Sequence, residues 1–90
     1  MQEFELRRRS DGLVYHFTRD GVGVYRRRDR PELTIQWDPQ FGWVARDPDT
    51  AELAGQPWGV PPAQQVRMPP EGAWVSCKGE ISYVYDLVAA

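Results

Sequence analysis

Cysteine and histidine are nearly absent: the 90 residues hold one of each, Cys77 and His16. A single cysteine excludes an internal disulfide framework. One cysteine with one histidine excludes the usual zinc sets, so no metal and no cofactor is expected. Lysine is almost missing too, with ten arginines to one lysine among the cations. That ratio is read first as the codon usage of a GC-rich, bacterial genome. No apolar run approaches the roughly 20 residues needed to span a bilayer. No signal-peptide stretch and no lipidation motif is seen. With a free cysteine, these absences point to a cytosolic protein. There is no phosphate-cradling glycine loop, because no helix follows Gly21-Val22-Gly23. No internal repeat and no low-complexity segment is present.

The length allows one domain, residues 1–90, with a small core. Composition is that of a globular chain, 41% hydrophobic and 27% charged. The net charge of −2 does not favour generic binding to nucleic acid. Charge is unevenly spread. Residues 1–46 hold nine arginines against seven acids, and residues 47–90 hold two cations against six acids. A dipole of that kind could steer a partner or assist self-association, a homodimer included.

Apolar residues recur with a period of two. Phe4 and Leu6 alternate with charged neighbours, and Leu13, Tyr15 and Phe17 alternate with Val14, His16 and Thr18. Leu33, Ile35 and Trp37 alternate with Glu32, Thr34 and Gln36, and Ile81, Tyr83, Tyr85 and Leu87 with Ser82, Val84 and Asp86. This is the pattern of half-buried strands, and no window carries a helical stripe. Turn chemistry punctuates it at Asp11-Gly12, Asp20-Gly21, Asp29-Arg30-Pro31, Asp38-Pro39-Gln40, Asp47-Pro48-Asp49-Thr50 and Lys78-Gly79. The expectation is an all-β antiparallel meander of six to eight short strands, forming a curled sheet or small barrel. Residues 55–72 hold five of the eight prolines and are expected as a loop or arm crossing one end before a C-terminal hairpin, residues 73–88. Residues 51–55 are read as a returning strand, with a single helical turn as the alternative.

If Asp20-Gly21 and Asp11-Gly12 are two-residue loops, Phe17 faces Val24, His16 faces Tyr25 and Leu6 faces Phe17. The core face then carries Phe4, Leu6, Leu13, Tyr15, Phe17, Val22 and Val24. The final hairpin adds Val75, Ile81, Tyr83, Tyr85 and Leu87. Trp37 and Trp43 are placed in the core, and Cys77 is expected to be buried beside Ala73 and Val75.

The outer face then brings Arg7, Arg9, His16, Tyr25 and Arg27 together. Guanidinium groups suit phosphate or carboxylate, and His16 and Tyr25 could stack on a base. A solvated sheet face is the plainer reading of the same residues. Trp58, among prolines, is the best candidate for a partner-facing aromatic. Cys77 and His16 are the one available nucleophile–base pair, with no third group to orient them. The aspartates fall mostly in turns, where they serve backbone hydrogen bonds. The expected function is therefore a non-enzymatic protein-interaction or regulatory module. The alternative is an anion or single-stranded nucleic-acid binder using the Arg/His/Tyr face. A sugar or small-molecule binder using exposed tryptophans is a third class. No membrane partner is expected.

Overall fold

Eight antiparallel strands follow one another around a closed barrel. They are β1 (Glu3–Arg8), β2 (Val14–Arg19), β3 (Val24–Arg27), β4 (Thr34–Asp38), β5 (Gly42–Arg46), β6 (Leu53–Pro57), β7 (Gly72–Lys78) and β8 (Ile81–Ala89). The computed structural model describes the backbone of residues 1–90 and every side chain except that of Lys78. One 3-10 turn, Pro62–Gln64, lies in the Pro-rich loop between β6 and β7. No helix is long and apolar enough to cross a membrane. Closure comes from pairing β1 with β8, Leu6 opposite Leu87. It leaves no long open sheet edge.

The barrel is filled rather than hollow. Phe4, Leu6, Phe17, Tyr25, Ile35, Trp43, Trp74, Tyr85 and Leu87 form its core. Large aromatics dominate because a barrel this short has few interior positions, and each ring removes much apolar area from water. Phe4 stacks on Phe17 with ring centroids 5.0 Å apart and planes 8° from parallel. Tyr25 meets Phe4 at 5.0 Å and Trp43 at 5.7 Å, and Trp43 meets Trp37 at 5.8 Å. The rings make a continuous ladder from the middle of the barrel to one of its mouths. Gly55 makes room for Trp74. A Cβ there would lie 2.8 Å from the indole Nε1, which instead donates to Ser76 Oγ at 3.0 Å.

Both Asp-Gly hairpins differ from two-residue loops, with opposite consequences. Between β1 and β2, Phe4 faces Phe17 and Leu6 faces Tyr15. The loop spans Arg9 to Gly12, closed by Arg8 N–H donating to Leu13 C=O at 2.8 Å. The pairing has slipped by two from the expected one, so every side chain keeps its face. Between β2 and β3, Arg19 faces Tyr25 and Phe17 faces Arg27. The loop is Gly21-Val22-Gly23, with both glycines at positive φ, 95° and 73°. Asp20 N–H donates to Val24 C=O at 2.8 Å across its base. This slip is three, an odd number, and it exchanges the faces of β3.

The expected core is corrected accordingly. Tyr25 is inside with 3% of its surface exposed, and Val22 is outside at 86%. Val24 points away from the core, and Leu13 at the strand's edge is exposed. In the last hairpin Trp74 pairs with Tyr85, and it is Trp74 rather than Val75 that turns inward. Ile81 and Cys77 are exposed. Trp74 carries the largest side chain of the strand, and its indole fills the barrel interior against Gly55. Trp43 is buried as expected, whereas Trp37 sits at the rim, 39% exposed. Residues 53–57 run as a strand after a turn in which Ala51 takes a positive φ of 62°.

The Pro-rich loop crosses one end of the barrel. Gln65 pins it there: its Oε1 accepts from Trp43 N–H at 2.8 Å and its Nε2 donates to Val60 C=O at 2.8 Å. Trp43 Nε1 donates to Val66 C=O at 2.8 Å, and Pro69 is buried.

Candidate functional site

The side chains grouped in one row by sequence divide between the two sides of the wall. Arg7, Arg9 and His16 lie on the outside. Arg7 Nε donates to Glu5 Oε2 at 2.9 Å, Arg9 Nη2 to Asp86 Oδ1 at 2.8 Å, and His16 Nδ1 lies 3.8 Å from Glu5 Oε1. Tyr25 and Arg27 point inward, because the odd slip of β3 moved both together. The Tyr25 hydroxyl donates to Met1 C=O at 2.8 Å. Burial pushes its acidity down, raising the phenol pKa despite nearby Arg19. Cys77 and His16 sit on β7 and β2, which are not neighbours in the barrel. Trp58 is exposed, as expected, at 66%.

The barrel has two mouths. At one, where β1 ends, Arg8, Tyr15, Arg27, Tyr83 and Tyr85 line a cavity of about 440 Å³. Arg27 lies 3.7 Å over the Tyr15 ring and Arg8 lies 5.0 Å over the Tyr83 ring. Each guanidinium is held from outside by a turn aspartate. Arg8 donates to Asp11 at 2.9 and 2.7 Å, and Arg27 donates to Asp29 at 2.6 and 2.8 Å. The bond from Arg8, helped by Leu13 N–H, brings the Asp11 carboxyl down to about 2. Arg27 likewise lowers the Asp29 carboxyl. Burial raises the Tyr85 phenol, against the pull of Arg8. Arg30 and Arg46, also at this mouth, pair with Glu32 and Asp38 at 2.8 and 3.0 Å. The mouth is a charge-compensated cap of stacked guanidinium and phenol groups.

The other mouth is different in kind. A groove of about 630 Å³ opens between the Gly21–Gly23 loop and the Arg67–Met68 part of the Pro-rich loop. Tyr25 and Trp43 form its floor, and Met1, Val22, Trp37 and Met68 form apolar walls. Gln36, Arg19 and Arg67 supply its polar rim. The local chain explains the shape. Two glycines at positive φ push Val22 out on a tight loop. Proline keeps residues 58–71 out of the ladder, so that segment arches over the mouth. Trp58 is on the same loop but does not line the groove.

Sequence reasoning singled out none of Val22, Met68, Arg19 and Arg67 as site residues. The one local signal is an apolar valine between two glycines at a hairpin tip, where polar residues are usual. Arg67 and Met68 carry no signal of their own, since only the fold brings them beside residues 19–24.

Among the described residues, no group of three or more His, Cys, Asp or Glu side chains is placed to hold a metal ion. No family model, no curated protein and no solved structure matches the chain.

Proposed function

We propose that this chain is a small, non-enzymatic interaction module of the cytosol that docks a protein partner in the groove beside Val22, Trp37 and Met68. The observation that carries the reading is the clustering of exposed apolar side chains at one barrel end, around a concavity rimmed by polar groups. Apolar side chains scattered singly over a surface need no explanation, whereas a contiguous patch with a polar rim is the usual mark of a docking site. Trp37 supplies an anchor. Its ring is braced edge-on by Trp43, so little side-chain freedom is lost when a partner covers it. A second copy of the chain is one candidate occupant.

The alternative of an anion or nucleic-acid surface on the sheet loses support. Of its five residues, Tyr25 and Arg27 are inside, and Arg7 and Arg9 are paired with acids.

The test is affinity capture from a lysate of the host's own cells, with nuclease and without, using the wild type and a Val22→Glu, Met68→Glu double variant. Both positions are exposed, so the variant is expected to fold, and near-ultraviolet dichroism checks that it does. The expected result is a nuclease-resistant protein band held by the wild type and lost by the variant. Identical bands from the two proteins would rule the groove out, and bands that vanish with nuclease would return attention to the sheet face.

A further inference from the structure

We infer that the segment docking in this groove is an acidic–apolar stretch of a protein, with carboxylates flanking an aromatic or aliphatic side chain. The inference rests on the docking reading above and adds the partner's chemistry. It comes from the distribution of the arginines. The chain has ten, and eight of them are in ion pairs with a carboxylate. The two without one, among the described residues, are Arg19 and Arg67. Both line the groove, and no other arginine does.

Arg19 makes a single side-chain bond, from Nε to Gly21 C=O at 3.3 Å, and Arg67 makes none among the described residues. No aspartate or glutamate lines the groove. A chain of net charge −2 therefore presents, at this one concavity, two uncompensated guanidinium groups beside apolar walls. Guanidinium groups pair with carboxylates in a planar, two-bond geometry, and the pairing strengthens as apolar neighbours exclude water. An apolar side chain resting on Val22, Trp37 and Met68 would provide that exclusion. An incoming segment thus needs an apolar anchor for the walls and carboxylates for the rim. Concavity favours an inserted segment over a membrane surface, and the net charge of −2 does not favour a nucleic acid.

The experiment is selection of a displayed random peptide library against the full chain, with counter-selection on the Val22→Glu, Met68→Glu variant. The expected winners carry Asp or Glu next to aromatic or aliphatic residues. A synthetic winner should lose about tenfold or more in affinity when its acids become amides, and by a similar factor against Arg19→Gln, Arg67→Gln. Its binding should weaken with added salt. Winners that are neutral or basic, or indifferent to the two arginines, overturn the acidic assignment and leave the docking groove standing. If no peptide distinguishes the wild type from the groove variant, both readings fall. Binding to anionic phospholipid vesicles, with no peptide selected, overturns the protein partner in favour of a lipid surface.

Discussion

Tyr25 shows how much one residue's placement decides. By alternation it belongs with Arg27, and the pair goes inside or outside together. Inside, its ring links Phe4 to Trp43 and its hydroxyl ties Met1 to the barrel. Tyr25→Ala is expected to cost about 3–5 kcal/mol, the range for removing a large buried aromatic. Tyr25→Phe, which removes only the hydrogen bond, is expected to cost about 1 kcal/mol. Urea denaturation of the two variants measures both. Costs below about 0.5 kcal/mol for the alanine would match an outward tyrosine and refute the three-residue loop. The arginines teach the same lesson. Arg7 and Arg9 look available in the sequence, yet each has a partner, Glu5 on its own strand or Asp86 across the β1–β8 seam. Arg19 and Arg67 attract no notice in the sequence and are the two left without one.

At the scale of elements, the hairpins and the Pro-rich loop set the site. Turn residues announced the positions of the hairpins correctly, because Asp and Gly act through local backbone chemistry. Loop length was not legible, since an Asp-Gly pair fits inside loops of several lengths. In the β1–β2 hairpin the error was even and harmless. In the β2–β3 hairpin it was odd, and it misplaced Val22, Val24, Tyr25 and Arg27 at once. The loop after β6 was expected to cross one end, and it does, held by Gln65. Its amide bridges Trp43 N–H and Val60 C=O, two groups that no strand serves. Gln65→Ala is expected to destabilise the protein by about 1–3 kcal/mol, because it leaves a half-buried N–H and carbonyl without partners. It should also speed amide exchange at Trp43 selectively. Unchanged exchange there would show that the loop is held by Pro69 and the Trp43–Val66 bond instead.

At the scale of the whole molecule, the turns and the β1–β8 seam carry an acid-sensitive component of stability. Asp11, Asp29, Glu32, Asp38, Asp47 and Asp86 all have carboxyls held below their ordinary values. Arg8, Arg27 and Arg9 are the leading cause for Asp11, Asp29 and Asp86, and backbone N–H groups lead for the other three. A carboxyl lowered by folding binds its proton more readily in the unfolded chain. Its contribution is therefore present above the unfolded pKa and lost as pH falls through the folded one. For Asp11 the window runs from 3.8 down to about 2. The urea midpoint is expected to hold from neutrality to about pH 5 and to fall steadily below it. Asp11→Asn should lower the midpoint at neutral pH and flatten the fall between the two pKa values. A variant whose acid limb runs parallel to the wild type would show that Asp11 contributes nothing through its charge. These groups are solvent-exposed, so each effect is small and salt-sensitive.

The sequence by itself determined the class of fold, a range of six to eight strands, the sites of the turns and the position of the Pro-rich crossing. Those properties depend on neighbours within a few residues: a period of two, an Asp-Gly pair, a proline without an N–H. Only the tertiary structure decided which side of the wall each β3 side chain takes, and which arginines are left without an acid. Register follows the energy of closing the whole barrel, where burying Tyr25 outweighs the local preference for a shorter turn. The groove depends on residues from four separate stretches, Met1, 19–25, 36–43 and 67–68, which meet because β1 and β8 close the ring and the loop folds over its mouth.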